Sequence, residues 1–327
     1  MTNDEAALAA TAVSSSERVA KSASRGALAH LKYALLSMRP RQWTKNGIVF
    51  MAFVFSLGQS WHVGEPDTWL PLLRDSVFAF VFFCLVSSAD YLLNDIRDRE
   101  SDRLHPKKRF RPIAAGTLSV PAAYAWAAGL IALGVGGGFA LEWKVGAILA
   151  GYLALMLAYS YWLKHVVLLD LAAIAAGFVL RAMAGAVAID VPISPWLYVV
   201  TALGALFLII NKRRAEILLL DADAGNHRPV LEEYSADLLD QMASTVTAST
   251  LIAYGLYTFT AEGLPENHSM MLTIPFVLYG IFRYLYLVHK KDQGGSPEEV
   301  LLRDVPLIIC IVLWMATAAA VLIVNRE

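Results

Sequence analysis

Residues 94–116 read NDIRDRESDRLHPKKRFRPIAAG, a highly charged segment directly behind Asp75–Leu93, an apolar run long enough to enter a membrane. Asn94, Asp95, Asp98 and Asp102 form the pattern N-D-x-x-D-x-x-x-D. If the helix continues, residues three and four apart share a face, so Asn94, Asp98 and Asp102 stack with Asp95 beside them. Such a cluster repels itself unless a cation sits in it, and hard oxygen ligands suit Mg2+, which keeps waters and binds substrate phosphates. Lys107, Lys108, Arg109 and Arg111 follow closely and would hold the rest of a phosphorylated ligand. The plainer reading is a solvated juxtamembrane loop whose basic residues obey topology rules. The acid spacing, the basic run and the closing RPIAAG together favour a site.

Composition places the rest of the chain around this segment. Of 327 residues, 57% are hydrophobic and 17% charged, a balance that points to a polytopic membrane protein. The net charge of −1 gives no indication of nucleic-acid binding. Cys84 and Cys310 both lie in apolar runs, so neither a disulfide framework nor a thiolate metal site is indicated. Residues 1–28 are rich in Ala and Ser, have no apolar core of a signal peptide, and are expected to be a disordered tail before a single catalytic domain over 29–327.

Apolar runs of spanning length occur near 46–60, 72–94, 118–140, 145–162, 167–189, 193–211, 242–261, 269–288 and 304–324, which predicts an all-α bundle of nine transmembrane helices. With the N-terminus in the cytoplasm, 22 of the 27 Lys and Arg residues fall on the cytoplasmic side, and Arg74, Lys144 and Arg326 alone fall opposite. Arg181 and Arg283 lie inside spans. The two long cytoplasmic loops, 95–117 and 212–240, follow the second and sixth spans, a placement that hints at internal duplication.

Other charged positions divide between anchoring and ligand contact. Arg39-Pro40-Arg41-Gln42-Trp43-Thr44-Lys45-Asn46 leads into the first run, and a positive-inside anchor with an interfacial Trp accounts for Arg39 and Trp43. Lys45 and Asn46 stand where the apolar run begins and are equally placed to face the bundle interior. Tyr159-Ser160-Tyr161-Trp162-Leu163-Lys164 has the composition of an aromatic belt with a snorkelling lysine. Asp170 lies inside an apolar run, where acids are usually paired or functional. Arg181 needs an anion, either an internal carboxylate or a phosphate, with internal pairing slightly favoured; Arg283 is close enough to the edge to snorkel. In Asn211-Lys212-Arg213-Arg214-Ala215-Glu216, Lys212 and Glu216 share a helix face as an ion pair or as two arms of a site. Asp221, Asp223, Glu232, Glu233 and Asp237 show no metal spacing, no His pair has ligand spacing, and no Gly-rich phosphate loop is present.

The first acidic motif, the basic stretch after it, RPIAAG and the YS-x-x-LK ending of the fourth span resemble the UbiA superfamily of intramembrane prenyltransferases, over roughly residues 35–325. The resemblance implies a cytoplasm-facing site in the bacterial inner membrane, with Asn94, Asp95, Asp98 and Asp102 on a Mg2+–diphosphate and Lys108, Arg109 and Arg111 on phosphate. Where most members place a second D-x-x-x-D, this chain has N-K-R-R-A-E, cationic with the single Glu216. That departure, with RPRQWTKN, is similar to a branch that moves phosphoribose from 5-phosphoribosyl 1-diphosphate to a polyprenyl phosphate in cell-wall arabinan synthesis. On that resemblance Asp95, Asp98, Lys45, Lys212 and Arg213 are the catalytic candidates, and Arg41, Asn46, Tyr159, Lys164, Asp170, Arg181 and Glu216 join the substrate contacts. A prenyl transfer to an aromatic acceptor is the nearest alternative. A transporter or flippase would call for charge pairs near the midplane, and a purely structural scaffold leaves the acid cluster unexplained. Membrane lipids are the expected surroundings, and a homo-oligomer is compatible with the sequence.

Overall fold

The computed structural model describes residues 29–192, 194–220, 229–261, 263–291, 294–295 and 297–326. The expected tail over 1–28 and the loop residues Asp221, Asp223 and Arg228 lie outside the described residues. All regular elements among those described are helical: α1 (29–37), a 3-10 helix Pro40–Phe50, α2 (Met51–Phe55), α3 (Pro66–Arg97), α4 (Arg99–Leu104), α5 (Val120–Leu141), α6 (Trp143–Tyr161), α7 (Leu169–Ala188), α8 (Pro195–Leu220), α9 (Ala236–Thr260), α10 (Ile274–Lys291), α11 (Pro297–Arg303) and α12 (Val305–Arg326). Proline opens α3, α8 and α11, where a missing N–H costs nothing and φ is already helical. Ser235 caps α9 by accepting from Leu238 N at 3.1 Å.

Seven segments among the described residues are long and apolar enough to cross a membrane: α3, α5, α6, α7, Pro195–Leu218, Ser269–Lys291 and Val305–Asn325. Two of the nine expected runs do not meet that measure. The run near 46–60 forms the 3-10 helix and the five-residue α2. The run near 242–261 lies in α9, a 25-residue helix diluted by Ser244, Thr245, Thr247, Ser249 and Thr250.

The chain groups into two compact units. The smaller comprises 29–40 and 88–130, with the end of α3, α4, the 3-10 turn Lys108–Phe110, and the start of α5. The larger comprises 41–87 and the chain from 131 onward; within it α7 packs against α6 and α8, α8 against α9, and α10 against α12. One core of the larger unit joins Val49, Phe83, Val145, Leu149, Tyr152 and Ala184; another joins Leu171, Ile210, Val230, Tyr234 and Leu239.

Small residues set the closest approach. A Cβ on Gly185 of α7 would stand 1.9 Å from Val49 O, so α7 meets the backbone of the 3-10 helix only because this position is glycine. Gly185→Ala should therefore destabilise the protein by about 2 kcal/mol, the scale of core overpacking. Thermal unfolding in detergent is the measurement, and an unchanged midpoint would contradict this contact.

Candidate active site

In the smaller unit the acidic motif stays on helical backbone through the α3–α4 junction: Asp98 N donates to Asn94 O at 2.9 Å and Asp102 N to Asp98 O at 2.8 Å. Asp95 and Asp102, seven residues apart, share the inner face; both are buried, while Asn94 and Asp98 are partly exposed. Arg111 Nη1 bridges the buried pair, at 3.0 Å from Asp95 and 2.6 Å from Asp102. Arg39 also pairs with Asp95. Sequence alone gives Arg39 only an anchoring role; its φ of 52°, immediately before Pro40, is a left-handed conformation of the kind held under strain at functional sites.

Within the expected acidic cluster, Asp95 and Asp102 are paired with guanidinium groups. Among the described residues no three His, Cys, Asp or Glu side chains stand close enough to hold a metal ion by themselves. Two guanidinium groups answer the self-repulsion instead. The donor set still fits Mg2+, which usually takes one or two protein carboxylates and completes its octahedron with phosphate oxygens and water.

The basic stretch is shaped by two ties. Arg103 Nε donates to Ala114 O at 3.1 Å, holding the RPIAAG loop, which ends at Gly116 with φ 77°. His105 Nδ1 accepts from Lys107 N at 3.1 Å and Lys108 N at 3.3 Å, which requires an unprotonated nitrogen. Desolvation, reinforced by the Lys108 charge, holds His105 below the ordinary imidazole range, in keeping with that role. Lys107 and Arg109 are exposed, Arg109 lies over the Phe110 ring at 4.9 Å, and Lys108 is half-buried.

The larger unit holds two adjoining cavities of about 390 and 370 Å3 that share Ile48, Phe178, Ala205, Leu208 and Leu301. The first is almost wholly apolar and reaches Tyr254, Tyr257 and Trp314. The second has Thr44, Lys45 and Lys212 in its wall. The pair forms an apolar chamber with two lysines at one end.

Beside Lys212 the chain turns inward. Arg213 is 1% exposed; it donates to Asp170 Oδ2 at 3.0 Å, Glu216 Oε2 at 2.6 Å and Tyr159 Oη at 3.1 Å. Asp170 is fully buried and also accepts from the Tyr234 hydroxyl at 2.8 Å. Tyr234 Oη accepts in turn from Leu168 N at 2.7 Å, where Leu168 has φ 67°. Burial pushes the Tyr234 phenol up to about 12, so it remains a donor to Asp170 across the ordinary pH range. Asp170, Arg213, Glu216 and Tyr159, all expected at substrate, are thus tied to one another. From the sequence, Lys212 and Glu216 are expected to share a face as an ion pair or as two arms of a site; Glu216 forms an i, i+3 pair with Arg213.

Arg181 is buried and bonded to neutral oxygens: Asn46 Oδ1 at 2.7 Å, Gly177 O at 2.8 Å and Tyr152 Oη at 2.7 Å. Asn46, 1% exposed, is held inside by that bond and does not line the chamber. Lys164 lies half-buried on the 3-10 turn Leu163–His165, and Arg41 is exposed. Arg283, expected to snorkel, makes a two-bond pair with Asp304 at 2.8 and 3.1 Å. Reading the sequence also missed Tyr152 and Tyr234, which are ordinary aromatics until their partners are known.

Residues 49–302, which include both charged segments, match the UbiA prenyltransferase family. The chain belongs to that family. The decaprenyl-phosphate phosphoribosyltransferase of Mycobacterium tuberculosis is 36% identical over 286 residues, 87% of this chain and 92% of that protein. The Corynebacterium glutamicum protein of the same name is 38% identical, covering 85% of this chain and 83% of its own length. Among solved structures, a UbiA homolog from Archaeoglobus fulgidus bound to DMAPP and Mg2+ superposes with a TM-score of 0.67 at 20% identity, over 88% of this chain and 98% of that one. The UbiA fold is therefore shared, and the cationic N-K-R-R-A-E segment lies within the family region of this chain.

Proposed function

We propose that this protein transfers 5-phosphoribose from 5-phosphoribosyl 1-diphosphate to a polyprenyl phosphate and releases diphosphate. The observation that carries this reading is the pair Lys45 and Lys212 at one end of an apolar chamber, a wall suited to a lipid anion. The name shared by relatives 36–38% identical over most of the chain supports it. Glu216, the one acid of the second segment, is engaged by Arg213, which argues against a second metal-binding motif and against ordinary prenyl transfer.

In this reading residues 29–327 form one catalytic domain, crossing a bacterial inner membrane nine times with the N-terminus and the site on the cytoplasmic side. Asn94, Asp95, Asp98 and Asp102 are the residues for Mg2+, which would supply charge neutralisation on the leaving diphosphate. Lys108 and Arg111 hold the donor's phosphates, with Arg109 at the rim. Lys45 and Lys212 orient the lipid phosphate, whose oxygen bonds to ribose C1 as the C1–diphosphate bond breaks. The acceptor is already an anion, so it needs positioning and no general base. Arg213, Asp170, Tyr159 and Tyr234 stand behind Lys212 and fix its helix.

Lys212→Ala should raise the KM for polyprenyl phosphate about tenfold, the value of a charge-assisted phosphate contact, with the donor's KM nearly unchanged. Steady-state kinetics with each substrate varied in turn measure this. The function itself is tested by diphosphate release from purified protein in detergent with Mg2+. Release that requires both 5-phosphoribosyl 1-diphosphate and a polyprenyl phosphate supports the transfer. Release from a prenyl diphosphate with an aromatic acid would move the function to prenyl transfer.

A further inference from the structure

An eleven-residue 3-10 helix is unusual, because the poor hydrogen-bond geometry and eclipsed i, i+3 side chains normally limit such runs to three or four residues. Here the three-residue repeat does work that an α-helix would undo. Asn46 and Val49 are buried, whereas Lys45 and Ile48 line cavity wall. An α-helix turns about 20° less per residue, so relaxation would swing Ile48 about 60° away from Lys45 around the axis.

The buried face of this segment has one polar side chain, Asn46, and it is held from two sides. Its oxygen accepts from Arg181 Nε at 2.7 Å on α7, and its amide donates to Ser87 Oγ at 3.2 Å on α3. Arg181 is braced for that bond by Gly177 O and Tyr152 Oη, with the Tyr152 and Phe178 rings 4.6 and 5.2 Å from its guanidinium carbon. Among the described residues no carboxylate pairs with Arg181. A buried cation held only by neutral oxygens is a costly way to secure packing. Phe178, against the guanidinium, also forms wall in both cavities.

We propose that Arg181, acting through Asn46, is a positioning residue that holds the 3-10 winding of Pro40–Phe50 and so aims Lys45 at the anionic head of the lipid acceptor. This rests on the acceptor role given to Lys45 above. It is tested by titration calorimetry in detergent with farnesyl phosphate and, separately, with 5-phosphoribosyl 1-diphosphate. Asn46→Ala should weaken farnesyl phosphate about tenfold and leave the donor within about twofold. Lys45→Ala should do the same, and the double variant should be no weaker than Lys45→Ala alone, because an unaimed lysine has nothing further to lose. Arg181→Lys, which loses the fixed guanidinium fork, should match Asn46→Ala. Asn46→Asp keeps an oxygen for Arg181 and should retain affinity within about threefold; this pair serves equally if the alanine variant does not fold. Fully additive losses, parallel loss of both ligands, or a wild-type protein that does not bind farnesyl phosphate would each overturn the proposal. A wild-type protein that shows the predicted coupling yet releases no diphosphate would overturn the transfer and leave the positioning role intact.

Discussion

Asp98→Ala should lower turnover at least about a hundredfold and raise the Mg2+ concentration needed for half-maximal rate. Asp95 and Asp102 are buried and engaged by Arg39 and Arg111, so their negative charge is already balanced within the protein. Asp98 is the partly exposed acid of the three, at the α3–α4 junction, and its side chain does not cap α4. Its carboxylate is the one we propose meets a diphosphate-bound cation. Turnover measured over a Mg2+ series separates this from a folding defect, because a misfolded fraction lowers the plateau without moving the midpoint. An unchanged midpoint together with undiminished turnover would remove Asp98 from the metal set.

Arg213→Met should cost about 3–5 kcal/mol of stability, enough to threaten folding, because it strands Asp170 with no exposure and no cation. The double variant Arg213→Met, Asp170→Leu should recover most of that loss, since replacing both members of a buried pair by apolar groups is often close to neutral. The neighbouring Lys212→Ala should leave stability unchanged while weakening acceptor use. Unfolding midpoints of the three variants in one detergent are the measurement. If Arg213→Met is as stable as wild type, the inward network does not support the helix, and Arg213 returns to the acceptor site.

How much was legible beforehand follows from where each partner lies in the chain. The acidic motif and the apolar runs are local patterns, and the family match and seven of the expected spans agree with them. Asp170 and Arg181 were recognisable as intramembrane charges needing partners, but Arg213 is 43 residues from Asp170 and Asn46 is 135 from Arg181. No local spacing encodes such pairs. Arg39 lies 56 residues from Asp95, beyond the reach of any local pattern. For Glu216, spacing allowed Lys212 at four residues or Arg213 at three. Burial decided: Asp170 and Tyr159 draw Arg213 inward, and Lys212 stays at the chamber wall. The first apolar run is 3-10 up to Phe50 and α from Met51, a change that nothing in its composition marks.

The long 3-10 helix also changes reach. Its eleven residues rise about 22 Å at about 2.0 Å each, and the five of α2 add about 8 Å. Together they extend about 30 Å, where the same residues wound as α would extend about 24 Å. The winding thus sets how far apart the two ends of this segment stand, and relaxing it would draw them together by about 6 Å.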